Sequence, residues 1–356
     1  MALAICAAVC SIVAAAGPAV AHPANWIVAK VEVRRDATFA ADVLLYREVV
    51  PDGFGARSPT VEIAGLPADP DLRQESLGLL EAVAVCFDGA PAPAGAEWVA
   101  HEKQAEQIRL RLTGRVPEGA RSVYVTNSLA GPWSASVRHE GDETAVLALL
   151  DPGERMEPVD LRAEFVPKPA AQTIAEFVGH GITHIVPYGA DHMLFVLGLF
   201  LLAARLKPLL LQVTAFTLAH TVTLALSTTG TLRLPSSVVE PLIAASIAYV
   251  AVENLCVQRV RATRVLLVFA FGLLHGMGFA GALADLGLPP GNRTLALVSF
   301  NVGVELGQLA VLVAAWIVLG LPFREKPWYR ARVVVPCSVA IAAVGLYWAV
   351  ARALGI

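Results

Sequence analysis

Polar and apolar positions divide the chain into two parts with different periods. From Trp26 to about residue 165, short runs alternate apolar and polar residues, as in Ile108-Arg109-Leu110-Arg111-Leu112 and Ser122-Val123-Tyr124-Val125, with Gly, Pro and Asp between them. A period of two places successive side chains on opposite faces of a strand, so these runs predict a half-buried sheet. About seven of them predict an antiparallel sandwich, with Asp71 to Val85 as a candidate helix. Further along, the alternation gives way to apolar runs at 188–204, 208–228, 236–257, 264–284, 294–319 and 333–352. Each approaches the roughly 20 residues that cross a hydrocarbon core about 30 Å thick. Ile174 to Val186 is too short to cross, and Pro187 and Gly189 separate it from the next run. It predicts an interfacial helix or half of a broken transmembrane element, the kind that lines substrate sites in transporters. The expected fold is an α-helical transmembrane bundle of about six helices plus that broken or interfacial helix, preceded by an all-β sandwich-like extracytoplasmic domain.

The chain ends and loops refine this division. Met1 to Ala21 is apolar and closes on Ala19-Val20-Ala21, the small-x-small pattern of signal peptidase cleavage. Its first residues carry no Lys or Arg, which leaves an uncleaved anchor as the alternative, and the bulky Val9 before Cys10 argues against a lipoprotein site. The expected domains are a signal peptide at 1–21, an extracytoplasmic β-rich domain at 22–165, a stiff linker at 166–173 around Pro167-Lys168-Pro169, and a transmembrane domain at 174–356. Arg205 and Lys207, then Arg259, Arg261 and Arg264, then Arg324, Lys326, Arg330 and Arg332 fall in alternate loops, against Arg233 and Arg293 in the others. The positive-inside rule makes the first set cytoplasmic. The protein is thus expected to be a multi-pass protein of the bacterial cell membrane, which is the inner membrane if the cell is Gram-negative, with its N-terminal domain outside.

Composition agrees. With 56% hydrophobic and 16% charged residues, the chain is too apolar for an ordinary soluble protein. Its net charge of −3 and the lack of a basic block interleaved with aromatics exclude a nucleic-acid surface. Of five cysteines only Cys86 lies in the β-rich domain, so that domain depends on an ordinary core rather than a disulfide.

Candidate chemistry concentrates in the apolar half. His180, His184, His192, His220 and His275 lie there, with Asp191, Glu253 and Glu305. Ionisable groups within spans cost upward of about 2.5 kcal/mol and normally face a partner or a pathway. No Lys falls inside a span, so a bound cation is the expected counter-charge for these carboxylates. His180 and His184 are four apart on one helix face, and Asp191 and His192 open the next helix. Imidazoles with one carboxylate suit borderline divalent metals; alternatively, the same histidines hydrogen-bond carbonyls at a helix break. Gly272/Gly276 and Gly303/Gly307 each form a Gly-x-x-x-Gly pair, while Asn301, Glu305 and Gln308 form a polar stripe. These spans are expected to touch with His275 and Glu305 at the contact, as part of the site or as a structural lock. Thr214, Thr217, His220 and Thr221 make a comparable polar face. His22, the residue that cleavage would expose, is a weak candidate chelate with its own α-amine, and His101 or His139 is the further ligand it would need.

The segment His184-Ile185-Val186-Pro187-Tyr188-Gly189-Ala190-Asp191-His192 resembles the His, spacer, Gly-x-Asp-His motif of the HupE/UreJ family of hydrogenase and urease accessory membrane proteins. The resemblance covers about 174–352 and implies a nickel permease. Leu274-His275-Gly276 matches one half of a second family motif, but the glutamate expected after it is missing, and the large N-terminal domain is like that of extended members. Nickel is the first expectation, with cobalt, zinc or copper allowed by the ligands. The metal is expected as cargo rather than as a fixed cofactor. Two other readings stay open: a membrane-embedded metal-dependent hydrolase, although His-Glu-x-x-His and Gly-x-Ser-x-Gly are both lacking, and a structural or sensory protein. No Gly-x-x-x-x-Gly-Lys-Ser/Thr loop occurs, so ATP hydrolysis by that route is excluded.

Overall fold

A computed structural model describes residues 27–46, 63–64, 70–102, 107–129, 133–142, 145–150, 153–163, 169–202, 206–228, 231–232, 234–258, 263–286 and 292–354. The signal peptide, His22, most of the linker and the side chain of His101 lie outside the described residues. The chain divides into two units, with the strands in one and the helical residues Ala170–Gly281 and Thr294 onward in the other.

The alternating runs form β1 (Ile27–Val33), β2 (Thr38–Tyr46), β3 (Ile63–Ala64), β4 (Val83–Phe87), β5 (Ala90–Pro91), β6 (Ala94–Glu102), β7 (Gln107–Arg115), β8 (Ser122–Asn127), β9 (Trp133–His139), β10 (Val146–Leu150) and β11 (Val159–Asp160). They build a sheet in the order β10-β9-β1-β2-β7-β6-β3 and a second in the order β11-β8-β4-β5. The alternation of β7 sorts as expected, with Ile108, Leu110 and Leu112 buried. On the opposite face Arg111 lies across from Asp42 of β2 and forms a two-pronged ion pair at 2.7 and 3.0 Å. Apolar residues of both sheets share one core, where the Phe39 and Phe87 rings sit 5.4 Å apart. Helix α1 (Pro70–Ala82) covers the candidate helical segment, but Val83 to Val85 belong to β4. Pairing is not uniformly antiparallel: β1 runs parallel to β9 and β3 parallel to β6. The chain enters the second sheet as β8 before returning as β9, which supplies the crossover that a parallel neighbour needs.

The second unit contains α2 (Ala170–Ile185), α3 (Ala190–Leu202), α4 (Leu206–Thr228), α5 (Ser236–Cys256), α6 (Thr263–Leu286), α7 (Arg293–Ala315) and α8 (Val335–Leu354). A π-helical turn at Trp316–Gly320 prolongs α7, and another at Arg330–Val334 leads into α8. Four of these helical stretches are long and apolar enough to cross a membrane: Lys207–Thr228, Ser236–Cys256, Arg293–Phe323 and Arg330–Leu354. The pair α2 and α3, bent by 70°, makes a fifth if it counts as one broken span, and Thr263–Phe279 of α6 is a shorter apolar helix. Large apolar side chains such as Leu211, Leu218 and Leu266 point outward, while His220, Asn254 and His275 are buried. This inverts the soluble pattern and suits a lipid surround.

Small residues set the closest approaches, in a pairing other than the one expected. A Cβ on Gly272 or Gly276 of α6 would strike backbone at Phe216 or His220 of α4, and one on Gly303 of α7 would strike Val178 and Gly181 of α2. Helices α6 and α7 do meet, but through the stacked rings of Phe279 and Phe300 at 5.1 Å. The glycines permit contact wherever two backbones must approach, and here each pair serves a different neighbour.

Two outcomes follow. Gly303→Ala should lower the apparent Tm of the purified protein, because overpacking costs about 1–3 kcal/mol; Gly179→Ala, inside the α2 helix that Gly303 meets and with nothing within 4 Å of the added carbon, should leave it equal or slightly higher. In the β unit, Asp88 accepts backbone N–H groups from Arg121 and Ser122, which hold its carboxyl below the usual carboxylate range. A lowered folded pKa stabilises above the unfolded value and loses that contribution as pH falls through the folded one. Asp88→Asn should therefore melt below wild type at pH 7 and converge with it toward pH 3; parallel melting curves would contradict this.

Candidate metal centre

The site begins at the break between α2 and α3. Val186 and Gly189 still bond back to carbonyls of the α2 end, Ile182 and Ile185, while Met193 bonds to the Gly189 carbonyl as α3 starts. A side chain at Gly189 would collide with the His184 carbonyl, so glycine is what lets the chain turn this tightly. The turn brings His184, at the end of α2, to His192, in the first turn of α3, with ring centroids 4.9 Å apart. Asp191 precedes His192, and carboxylates are favoured at a helix N-terminus.

Helices α4 and α6 add His220 and His275. The His192 ring lies 5.9 Å from that of His220 and 4.9 Å from that of His275. His184, Asp191, His192, His220 and His275 are all buried. One ligand atom from each of His184, His192 and His220 lies within 4.8 Å of the others, and the same holds for Asp191, His192 and His275. Phe279 and Phe300 flank His184 at 4.2 and 5.4 Å, and Phe195 and Phe216 flank His275 at 5.3 and 5.0 Å. Aromatic walls exclude water and strengthen electrostatic interactions inside.

Neighbouring groups fix how three of these rings point. His192 Nδ1 lies 3.2 Å from Asp191 Oδ1, which also accepts the His192 backbone N–H at 2.9 Å. His220 Nδ1 lies 3.1 Å from Asn301 Oδ1, and the Asn301 amide is oriented by donating to the Leu297 carbonyl at 2.8 Å. His275 Nε2 lies 3.1 Å from Ser246 Oγ, whose single proton goes to the Ile243 carbonyl at 2.6 Å. Each acceptor calls for N–H on the facing nitrogen, so in the neutral ring the other nitrogen holds the lone pair. An oxygen acceptor behind an imidazole is the usual support of a metal ligand.

The remaining candidates lie elsewhere. His180 is half-buried, with its ring 6.3 Å from that of Phe177, and belongs to neither group of three. It stands one turn before His184, about 6 Å along the helix axis. Glu305 does not meet His275. It accepts hydrogen bonds from Thr214, at 2.8 Å, and from Thr217 of α4, one turn from the rung that joins His220 to Asn301. His275 faces Ser246 of α5 instead. Nor does Glu253 need a bound cation: Arg264 Nη1 lies 2.8 Å away, and the same guanidinium donates to Asn254 Oδ1 at 3.1 Å. Arg264, read from sequence as a loop residue, is in fact buried in the first turn of α6. Ser246 carried no sequence signal beyond a single hydroxyl in an apolar run, and Asn301 was visible only as part of a stripe.

Apolar helices with an ionisable interior define a multi-pass membrane protein. The family model described as HupE / UreJ protein matches residues 161–352, and the chain belongs to that family. No curated protein and no solved structure matches it.

The Glu253–Arg264 pair gives a direct check on this interior. Arg264→Met should lower the stability of the purified protein by about 3–5 kcal/mol, as removal of one buried partner does. The double variant Arg264→Met/Glu253→Gln should regain part of it. Additive losses in chemical or thermal unfolding would show that the two charges do not interact.

Proposed function

We propose that the helical unit is a permease for a divalent transition-metal ion, with nickel as its first substrate, and that His184, Asp191, His192, His220 and His275 bind the ion in transit. The observation that carries this reading is the gathering of three buried imidazoles and one carboxylate about His192, three of the four rings held by an oxygen behind them. A core that only locked helices together would have little use for so many adjacent imidazoles in so costly a place. Imidazole-rich sets suit nickel, zinc and copper, whereas magnesium and calcium take oxygen ligands. Family membership, with its metal accessory or transport association, favours nickel among them.

In this reading α6 counts as a sixth crossing, the β unit faces outward, and the ion passes from that side through the α2–α3 break. The two carboxylates divide their work. Asp191 neutralises part of the ion's charge and orients His192, while Glu305 with Thr214 and Thr217 lies on the α4–α7 seam beside it. Movement of the ion needs no covalent step.

Full-length protein in liposomes loaded with a metal-sensitive dye tests the proposal. Wild type should admit nickel, and Asp191→Asn and His192→Ala should each lower the rate by at least about tenfold at equal incorporation. His180→Ala, outside both groups of three, should keep most of the flux. Wild-type rates in Asp191→Asn and His192→Ala would remove these residues from the pathway.

A further inference from the structure

The two groups of three ligands are not independent, since His192 belongs to both. A neutral imidazole has one lone pair, because its other nitrogen carries a proton. His192 can therefore bind one ion at a time, through Nε2 while Asp191 holds Nδ1–H, and through Nδ1 beside Asp191 once that proton has moved to Nε2; holding two would require a deprotonated, bridging ring. The other members do not overlap. His184 and His220, from α2 and α4, complete one set, and Asp191 and His275, from α3 and α6, complete the other. Each set also has its own support, Asn301 behind His220 and Ser246 behind His275.

We infer that the cluster is a two-station relay for a single divalent metal ion, with one station at His184, His192 and His220, the other at Asp191, His192 and His275, and His192 handing the ion between them. The inference rests on the metal-binding reading above and deepens it. The stations differ in charge. The first offers three neutral nitrogens, and the second adds the Asp191 carboxylate, so moving between them changes the net charge around the ion by one. The step is short, since ring centroids of 5.9 and 4.9 Å separate His192 from His220 and His275. In a pathway, two weak adjoining sites let an ion leave more readily than one tight four-ligand cage would, which is what conduction requires.

The test is equilibrium dialysis of the detergent-purified full-length protein against nickel chloride and, separately, zinc chloride, with metal counted per chain. Wild type is expected to bind one ion per chain. His220→Ala and His275→Ala should each still bind one, at the intact station, while the double variant should lose affinity by about 100-fold or more. His220→Asn and His275→Gln repeat the measurement should an alanine variant fail to stay monodisperse. Two ions per wild-type chain would overturn the sharing of His192. Abolition of binding by one single substitution, in both its forms, would overturn the relay and leave a single site standing. Wild type that binds neither metal would overturn the metal reading and the relay with it.

Discussion

Everything in the helical unit depends on the α2–α3 break being closed tightly enough to press His184 against His192. Those two rings come from different helices, and only a short return between Ile185 and Ala190 brings them within 4.9 Å. Gly189 permits that return, since any Cβ there would meet the His184 carbonyl. The close crossing of α2 on α7 at Gly181 and Gly303 then holds the end of α2 in place. A bulky residue at either crossing point would move His184 away from the ring it must face.

The same constraint explains the polar residues around the site. A hydrocarbon surround offers no water to compensate buried polar groups, and three of the four imidazoles are turned by a neighbour that can accept a proton. Asp191 does this within one turn of helix, while Asn301 and Ser246 do it across helices. The rung from His220 to Asn301 continues one turn further as Thr217 to Glu305, which ties α4 to α7 along the whole stripe. Away from the histidines, Arg264, Glu253 and Asn254 satisfy one another and join α5 to α6, with Asn254 also donating to the Gly198 carbonyl of α3.

Much of this was legible from local pattern. The period of two marked the strands because one face of each sheet is buried, and the spacing of His184, Gly189, Asp191 and His192 announced the break and its histidines. What escaped the sequence was partner choice between elements. Both Gly-x-x-x-Gly pairs mark close approach, yet nothing in a linear pattern tells that Gly276 meets His220 while Gly303 meets Gly181. For the same reason His275 was expected beside Glu305 and is found on Ser246. Arg264 looked like a loop charge because it stands at the start of an apolar run, but the first turn of a helix can point inward when a carboxylate waits there. The parallel pairing of β1 with β9 was hidden likewise, since strand direction depends on a crossover through the other sheet.

X-ray absorption spectroscopy of the nickel-loaded, purified full-length protein shows whether the histidine cluster takes the proposed transition-metal ion as its ligand. Nickel held by the cluster should show nearest neighbours at about 2.0–2.1 Å, the usual metal–nitrogen distance, with the outer-shell scattering of two or three imidazole rings, reduced in His192→Ala. A spectrum of oxygen neighbours alone, without imidazole scattering and unchanged by that substitution, would contradict it.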